Sequence, residues 1–222
     1  SVGEVMALGR TFEEAMQKAI RMLNIGADGF YPSPFQFKDI TKEVKRPTPR
    51  RIFAVAQALA GEWTSEEVNI ATGIDRWFLD RIKACARIAK DLTDIGGGDP
   101  IDPVLMKKAK RAGFSDLSIA KLNNSSAEKV RTLRLQQNIR PVIKQIDTLA
   151  GEFPAKTNYL YMTYHGTEND VDFSRTDSGN RESELGNRAP ESRVPNPESR
   201  KPRVIDLGGG PYSIGSSVEF DW

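Results

Sequence analysis

The chain contains one cysteine and one histidine, side chains that often serve as nucleophile and general base. Cys85 lies within a helical pattern of apolar residues over 79–92, far in sequence from His165. Because a cysteine nucleophile needs a base placed beside it, we predict that Cys85 is a small core or helix-surface residue. We expect His165 to be a surface residue. A single cysteine excludes an internal disulfide framework and suits a reducing compartment.

A glycine-rich turn is the second candidate for chemistry. It follows an apolar strand pattern over 204–207 and contains Gly208, Gly209, Gly210 and Gly215. Such a turn normally leads into a helix whose N-terminal amides can face a ligand, and the strand needs sheet neighbours. A dinucleotide-binding motif fits poorly, because the motif requires its third glycine at position 213, whereas the next glycine in this chain is Gly215. We therefore expect the chain to be a fragment of a larger fold.

Composition and charge limit the class of protein. Apolar residues make up 38% of the 222 residues, enough for a core over most of that length. The net charge of +2 gives no field that would indicate nucleic acid or an anionic membrane as the principal partner. No run approaches the roughly 20 apolar residues of a membrane span, and the start does not read as a secretory signal. We expect an intracellular protein with no membrane partner.

Helical patterns dominate the first two thirds of the chain and predict a mainly α fold. Thr11 and Glu14 predict a capping box at the start of a helix over 11–23. Prolines at 32, 34, 47 and 49 predict an irregular connector over 26–49. Ser, Thr or Asp at the starts and glycines at 61, 73, 96 and 113 mark most further helices. These helices are predicted over 49–60, 65–72, 76–91, 103–112, 115–122, 126–137 and 141–149.

An internal similarity at an offset of 51 residues predicts two related helical pairs. In each pair an aromatic residue, Trp63 or Phe114, precedes two short capped helices joined by a turn. Such pairs could be helix-turn-helix units that bind DNA, since the last helix carries Lys129, Arg131 and Arg134. Helical hairpins with a few arginines are also common in all-α domains. We favour the structural interpretation and keep DNA binding as an alternative.

Residues 174–203 differ in composition from the rest. They are rich in Ser, Arg, Asn, Glu, Gly and Pro, and the tetrapeptide Pro-Glu-Ser-Arg occurs at 190–193 and again at 197–200. Leu185 and Val194 are their only large apolar residues. Because so few apolar side chains cannot offset the entropy of ordering, we predict a disordered linker or insertion.

Three blocks of the sequence resemble one family. Residues 1–15, 144–164 and 208–222 look like the large synthetase component of carbamoyl-phosphate synthase, of eukaryotic type. Residues 74–79 and 113–116 resemble its helical middle, and the similarity runs in family order everywhere except 174–203. The resemblance implies four segments. Residues 1–20 end the first ATP-grasp domain, 21–164 form a helical oligomerisation domain, 165–203 form a largely disordered linker, and 204–222 open the second-half α/β domain.

The family makes carbamoyl phosphate from bicarbonate, ammonia or glutamine nitrogen and two ATP with Mg²⁺, in two halves joined by a tunnel. Its ATP, Mg²⁺ and bicarbonate ligands lie in segments absent from this chain. The resemblance therefore implies no catalytic residue, metal or cofactor here, and a fragment that is inactive alone. It does imply tunnel-lining positions at Glu4, Ser213, Ser217 and Glu219. Bacterial members usually have arginine at position 213 and glycine at 217, whereas Ser217 is similar to animal and fungal enzymes.

The partners that the resemblance implies are the two ATP-grasp halves of the synthetase, a glutaminase domain or subunit, and a second copy of the chain. Nucleic acid and membranes are not among them. Residues 169–173, Asn-Asp-Val-Asp-Phe, favour the ammonia-using animal form over the pyrimidine-pathway form. The first would lie in the mitochondrial matrix and the second in the cytosol. A free-standing helical scaffold and a helix-turn-helix module remain as alternatives.

Overall fold

The computed structural model describes residues 5–96, 99–147, 149–153 and 159–171. Within these ranges the fold is mainly α, as predicted, with eight helices and one antiparallel pair of short strands. The helices are α1 (Phe12–Met22), α2 (Ile40–Lys45), α3 (Arg51–Ala60), α4 (Ser65–Thr72), α5 (Arg76–Ile95), α6 (Pro103–Arg111), α7 (Asp116–Leu122) and α8 (Ala127–Gln136), and the strands are β1 (Val142–Gln145) and β2 (Leu160–Thr163).

Most helices begin where a side chain caps their first turn. Asp102, Ser115 and Ser126 each accept backbone N–H groups at the starts of α6, α7 and α8. Thr64 and Glu67 form a complete capping box at α4, with a 2.7 Å bond from the Thr64 N–H to the Glu67 carboxylate. The structure thus confirms the helices predicted over 65–72, 103–112, 115–122 and 126–137. Helix α5 continues four residues past its predicted end at 91 and stops before Gly96.

The predicted helix over 141–149 is wrong. Residues 142–145 form β1, which pairs with β2 so that Val142 lies opposite Thr163. The β-branched Val142 and Ile143 favour a strand. The side chain of Asn169 accepts the Ile143 N–H at 2.8 Å and so anchors β1. The sequence pattern around residues 141–149 gave no indication that this segment pairs with β2.

The segment over 26–49, predicted to be an irregular connector because of its prolines, contains the helix α2. The prolines lie in two pairs, at 32 and 34 and at 47 and 49, and leave a proline-free stretch between them. Asp39 caps that stretch by accepting the Lys42 N–H at 3.0 Å, and Val44 on α2 is fully buried. Tertiary burial of one apolar residue thus stabilises a helix that is short by itself.

The core forms around α3 and α5. Almost every face of α3 is buried, and its Phe53, 1% exposed, belongs to the same apolar core as the fully buried Leu79 of α5. Cys85 is 0% exposed, which confirms the core assignment, and burial raises the pKa of its thiol to about 12. A thiol in that state is a small apolar side chain and not a nucleophile.

Helix α1 packs on the same core. The ring of Phe12 lies 5.6 Å from that of Trp77 and 5.2 Å from that of Phe78, centroid to centroid. The predicted domain boundary near residue 20 falls inside α1, and Ile20 is 3% exposed in the core. The boundary itself stays a prediction.

The two helical pairs predicted from the internal similarity are α4 with α5 and α7 with α8. Ser65 donates to Asp80 at 2.6 Å across the first pair, and Arg134 donates to Asp116 at 2.9 Å across the second. The second helices differ in length, with 20 residues in α5 and 10 in α8. The predicted linker over 174–203 and the predicted strand over 204–207 lie outside the described residues.

Among the described helices, none combines the length and the apolar composition that crossing a bilayer requires.

Candidate functional site

The residues assigned to a tunnel by resemblance cannot be placed. All of them lie outside the described residues, and their roles stay predictions: Glu4, Ser213, Ser217, Glu219 and the turn glycines Gly208, Gly209, Gly210 and Gly215. The described part of the chain contains a different candidate, which the sequence had not indicated.

This candidate is a cavity of about 560 Å³ between α1, α6, α8 and the residues around β2, here called the basic cavity. One carboxylate, Glu14, lines it. The apolar part of its lining includes Leu135, Pro141 and Met162. Its basic lining residues come from four separate segments and are Lys18, Arg21, Lys110, Arg131, Arg134 and Arg140.

Two of these cations are buried and share one carboxylate. Lys110 is 6% exposed and its Nζ donates to Asp116 Oδ1 at 2.7 Å. Arg134 is 7% exposed and its Nε donates to Asp116 Oδ1 at 3.0 Å and Oδ2 at 2.9 Å. The ring of Tyr164 lies 5.1 Å from Lys110 Nζ. One negative charge therefore faces two buried positive charges.

The pKa values in this cluster follow from that imbalance. Burial lowers the pKa of Lys110 to about 8, assisted by the positive charges of Arg134 and Arg21 and opposed by Asp116. Burial alone would raise the pKa of Asp116, but the charge and hydrogen bonds of Lys110 and Arg134 outweigh it and lower the pKa. Burial also lowers the pKa of Arg21. In this cluster the positive charge of the cavity wall exceeds the negative charge of the carboxylates that pair with it.

Glu14 is the second buried acid at this site, at 1% exposed. Its carboxylate accepts the Arg10 N–H at 2.8 Å, the Thr163 hydroxyl at 3.0 Å and Lys18 Nζ at 2.9 Å. The predicted capping box is thus only half formed. Thr11 accepts the Glu14 N–H at 3.3 Å, but Glu14 bonds the residue before the cap and joins α1 to β2. Long-range bonding to Thr163 replaced the reciprocal local bond.

Gly113 allows α1 to approach the end of α6. It has φ +90, and a Cβ there would lie 2.9 Å from the Glu14 Cα and 3.2 Å from the Glu14 carbonyl oxygen. Arg21 Nη1 donates to the Gly113 carbonyl at 2.9 Å, and Gln17 Nε2 donates to the Ala112 carbonyl at 2.6 Å. The glycine thereby sets the distance between two walls of the basic cavity.

The remaining predictions about single side chains can now be placed. His165, predicted to be a surface residue, is partly exposed, and its Nε2 lies 2.8 Å from the Arg111 carbonyl oxygen. Of the cations considered for DNA, Lys129 and Arg131 are exposed, whereas Arg134 is buried and held by Asp116. A buried, paired arginine cannot enter a groove of a duplex, which disfavours the helix-turn-helix interpretation.

One sequence signal could have revealed the basic cavity. Lys110 follows Met106 at the helical spacing of four that places side chains on one face, and Met106 and Ala109 are fully buried. A lysine on the apolar face of a helix needs a buried anion, which points to Asp116. Arg134 and Glu14 gave no such signal, because their partners lie far away in sequence.

The pKa of Lys110 predicts a stability change at alkaline pH. Lysine has its ordinary pKa of 10.5 in the unfolded chain and a pKa of about 8 in the folded one, so the unfolded chain binds more protons between these values. Its contribution to the free energy of unfolding should therefore rise with pH across that range. We expect wild type to gain stability relative to Lys110→Met in urea titrations over that range. A difference that stays flat or falls would contradict the assignment.

Two comparisons with known proteins, one with a family model and one with individual relatives, agree with the resemblance found in the sequence. Residues 4–138 match the model of a family described as the carbamoyl-phosphate synthetase large chain, oligomerisation domain. The chain is 42% identical over 228 residues to the mouse (Mus musculus) carbamoyl-phosphate synthase [ammonia], mitochondrial. It is 41% identical over 223 residues both to multifunctional protein pyr-3 of Neurospora crassa and to the arginine-specific large chain, mitochondrial, of Schizosaccharomyces pombe.

The alignments cover the whole of this chain and a small part of each relative. The chain spans 13% of the mouse protein, 11% of the Neurospora protein and 17% of the fission yeast protein. The relatives are thus much longer proteins that contain a region similar to this chain.

Proposed function

The chain belongs to the carbamoyl-phosphate synthetase large chain family, whose oligomerisation domain it matches, and we propose that it joins two ATP-dependent halves of such a synthetase and associates with a second copy of itself. The family match over residues 4–138 carries this proposal. The helical core described above supports it, because a packed helical domain can hold two larger domains in register.

The parent enzyme would be an ATP-dependent C–N ligase that makes carbamoyl phosphate from bicarbonate, ammonia or glutamine nitrogen and two ATP with Mg²⁺. Among the described residues there is no group of three or more His, Cys, Asp or Glu side chains that could hold a metal ion. The proposal assigns no step of the reaction to the described residues. ATP and Mg²⁺ belong to the parent's other domains in this proposal, and Glu4, Ser213, Ser217 and Glu219 would line its tunnel.

One face of the domain is proposed to contact the remainder of the synthetase. Lys18 Nζ donates to the carbonyls of Leu8 at 2.8 Å and Met162 at 2.7 Å, so the segment before α1 lies beside β2. The apolar side chains exposed there form what we call the hairpin face, and they are Met6, Leu8, Tyr159, Leu160 and Met162. Exposed apolar side chains on neighbouring segments suit a neighbouring domain better than solvent. An ATP-grasp half, or a glutaminase domain or subunit, would be that neighbour.

A different face is proposed for self-association. Trp77 is 52% exposed and Phe78 is 41% exposed, and with Phe12 they form the aromatic surface on α1 and α5. A groove of about 370 Å³ beside it is lined largely by apolar residues that include Pro49, Ile52 and Ile74. Aromatic residues next to an apolar groove are the usual anchors of protein interfaces. The family's oligomerisation role favours a second copy of this chain as the partner.

The self-association is tested with the double variant Trp77→Ser, Phe78→Ser. Removing two exposed aromatic anchors should raise the dissociation constant of the self-complex about tenfold or more. Sedimentation velocity over a concentration series measures it. The matched control is Val104→Ser, which removes a 78% exposed apolar side chain from α6, outside the aromatic surface. A wild type that stays monomeric at every concentration would refute the proposal, as would a double variant that associates like the control.

The place of the domain in a synthetase is tested at the transcript. We expect the coding sequence to run from a first ATP-grasp domain into this chain and on into a second one. A stop codon directly after Trp222 would instead support a free-standing scaffold. The compartment is part of the same proposal. The ammonia-using form would lie in the mitochondrial matrix and the pyrimidine-pathway form in the cytosol, and cell fractionation with an antibody to this domain distinguishes them.

A further inference from the structure

The basic cavity carries more positive charge than its carboxylates neutralise. Glu14 pairs with Lys18, and Asp116 pairs with both Lys110 and Arg134. Six cations line the cavity and two carboxylates form salt bridges with them, which leaves an excess of four positive charges. Within the described part of the chain, none of the other three cations forms a salt bridge; they are Arg21, Arg131 and Arg140.

Each of the two buried cations, Lys110 and Arg134, also has N–H groups that donate to no acceptor among the described residues. Lys110 Nζ has three N–H groups and donates to two acceptors, the Phe114 carbonyl and Asp116. Arg134 donates through Nε to Asp116 and through Nη1 to the Ile139 carbonyl, while its Nη2 donates to no described residue. A ligand with several acceptor oxygens would complete these donors.

The two cations of low exposure, Lys110 and Arg134, share the single charge of Asp116, and this excess of buried positive charge is energetically unfavourable because the protein interior solvates a cation poorly. The lowered pKa of Lys110 is an independent sign of that excess. A bound anion would supply the missing negative charge and would act at short range, where screening by salt is weak. The site is therefore arranged for an anion that it must take from outside the described residues.

We propose that the basic cavity binds the phosphate group of a small phosphorylated molecule. Guanidinium groups pair with phosphate oxygens through two parallel hydrogen bonds, and the lining contains arginines on α1, on α8 and after α8. The cavity of about 560 Å³ exceeds the size of phosphate alone. Its apolar lining by Leu135, Pro141 and Met162 suits an organic group attached to the phosphate.

The proposal is tested by isothermal titration of the full chain with three anions: inorganic phosphate, phenyl phosphate and succinate. Sodium chloride keeps the ionic strength constant throughout. We expect saturable binding of one inorganic phosphate per chain, binding of phenyl phosphate at least as tight, and binding of succinate at least tenfold weaker. The double variant Arg131→Gln, Arg140→Gln should weaken phosphate binding about tenfold or more.

A matched control separates site binding from general charge. Arg87→Gln removes an exposed arginine on α5 that does not line the basic cavity, and it should bind phosphate as wild type does. Arg131 and Arg140 are both exposed, so the double variant should keep its helical circular dichroism. The proposal is overturned if phosphate gives no saturable heat, if succinate binds as tightly as phosphate, or if the folded double variant binds like Arg87→Gln.

Discussion

Replacing Asp116 with asparagine is expected to lower the free energy of unfolding by about 4 kcal/mol, because it leaves two buried cations without a carboxylate partner. Lys110 and Arg134 are 6% and 7% exposed, and Asp116 is the only described carboxylate that forms a salt bridge with either. Asparagine has nearly the same shape but no charge. Guanidinium titration followed by circular dichroism measures the loss.

Two further variants define the origin of that loss. Asp94→Asn removes the carboxylate of the Lys90–Asp94 pair, which is exposed on α5, and should leave stability unchanged within error. Lys110→Met added to Asp116→Asn removes one stranded charge and should restore part of the lost stability. If Asp116→Asn were as stable as Asp94→Asn, the buried cluster would not contribute to folding as described.

Replacing Gly113 with alanine should cost about 3 kcal/mol, from backbone strain together with steric overlap. The added Cβ would lie 2.9 Å from the Glu14 Cα at a backbone φ of +90, so α1 and the end of α6 would have to separate. That movement would also disturb the bond from Arg21 to the Gly113 carbonyl. Thermal and chemical unfolding of the purified variant would measure the loss.

Gly73 supplies the matched control for Gly113. It also has positive φ, at +72, but an added Cβ there meets no atom within 4 Å. Gly73→Ala should therefore cost only the strain of a left-handed alanine, about 1 kcal/mol. Equal losses in the two variants would mean that the contact between α1 and the α6 end is not tight, and would count against the described shape of the basic cavity.

These two positions link stability to the proposed functions. Gly113 lines the basic cavity and sets the position of α1, and Asp116 pairs with the two buried cations of its lining. The aromatic surface lies on α1 and α5, and the hairpin face includes β2, which Glu14 of α1 holds through Thr163 at 3.0 Å. Helix α1 therefore lines the basic cavity, forms part of the aromatic surface and contacts β2 of the hairpin face, so a change in its packing would affect all three.

The amino-acid sequence by itself determined where most helices begin and end. Caps such as Thr64 with Glu67, and Asp102 before α6, act through hydrogen bonds within three residues, so their effect can be read locally. Long blocks of similarity also identified the family, which the comparison with known proteins confirmed. The apolar helical pattern predicted that Cys85 is a small core or helix-surface residue, and the structure places it in the core.

Only the tertiary structure decided the rest, because burial and charge pairing depend on residues that are distant in sequence. β1 is a strand because β2 and Asn169 supply its hydrogen bonds from 15 or more residues away. α2 is stable because Val44 finds a place in the core. The basic cavity joins Glu14 to Thr163 and Asp116 to Arg134, and no local pattern encodes either pairing. A cation's partner is set by the folded chain, since electrostatic interactions act through space and not along the sequence.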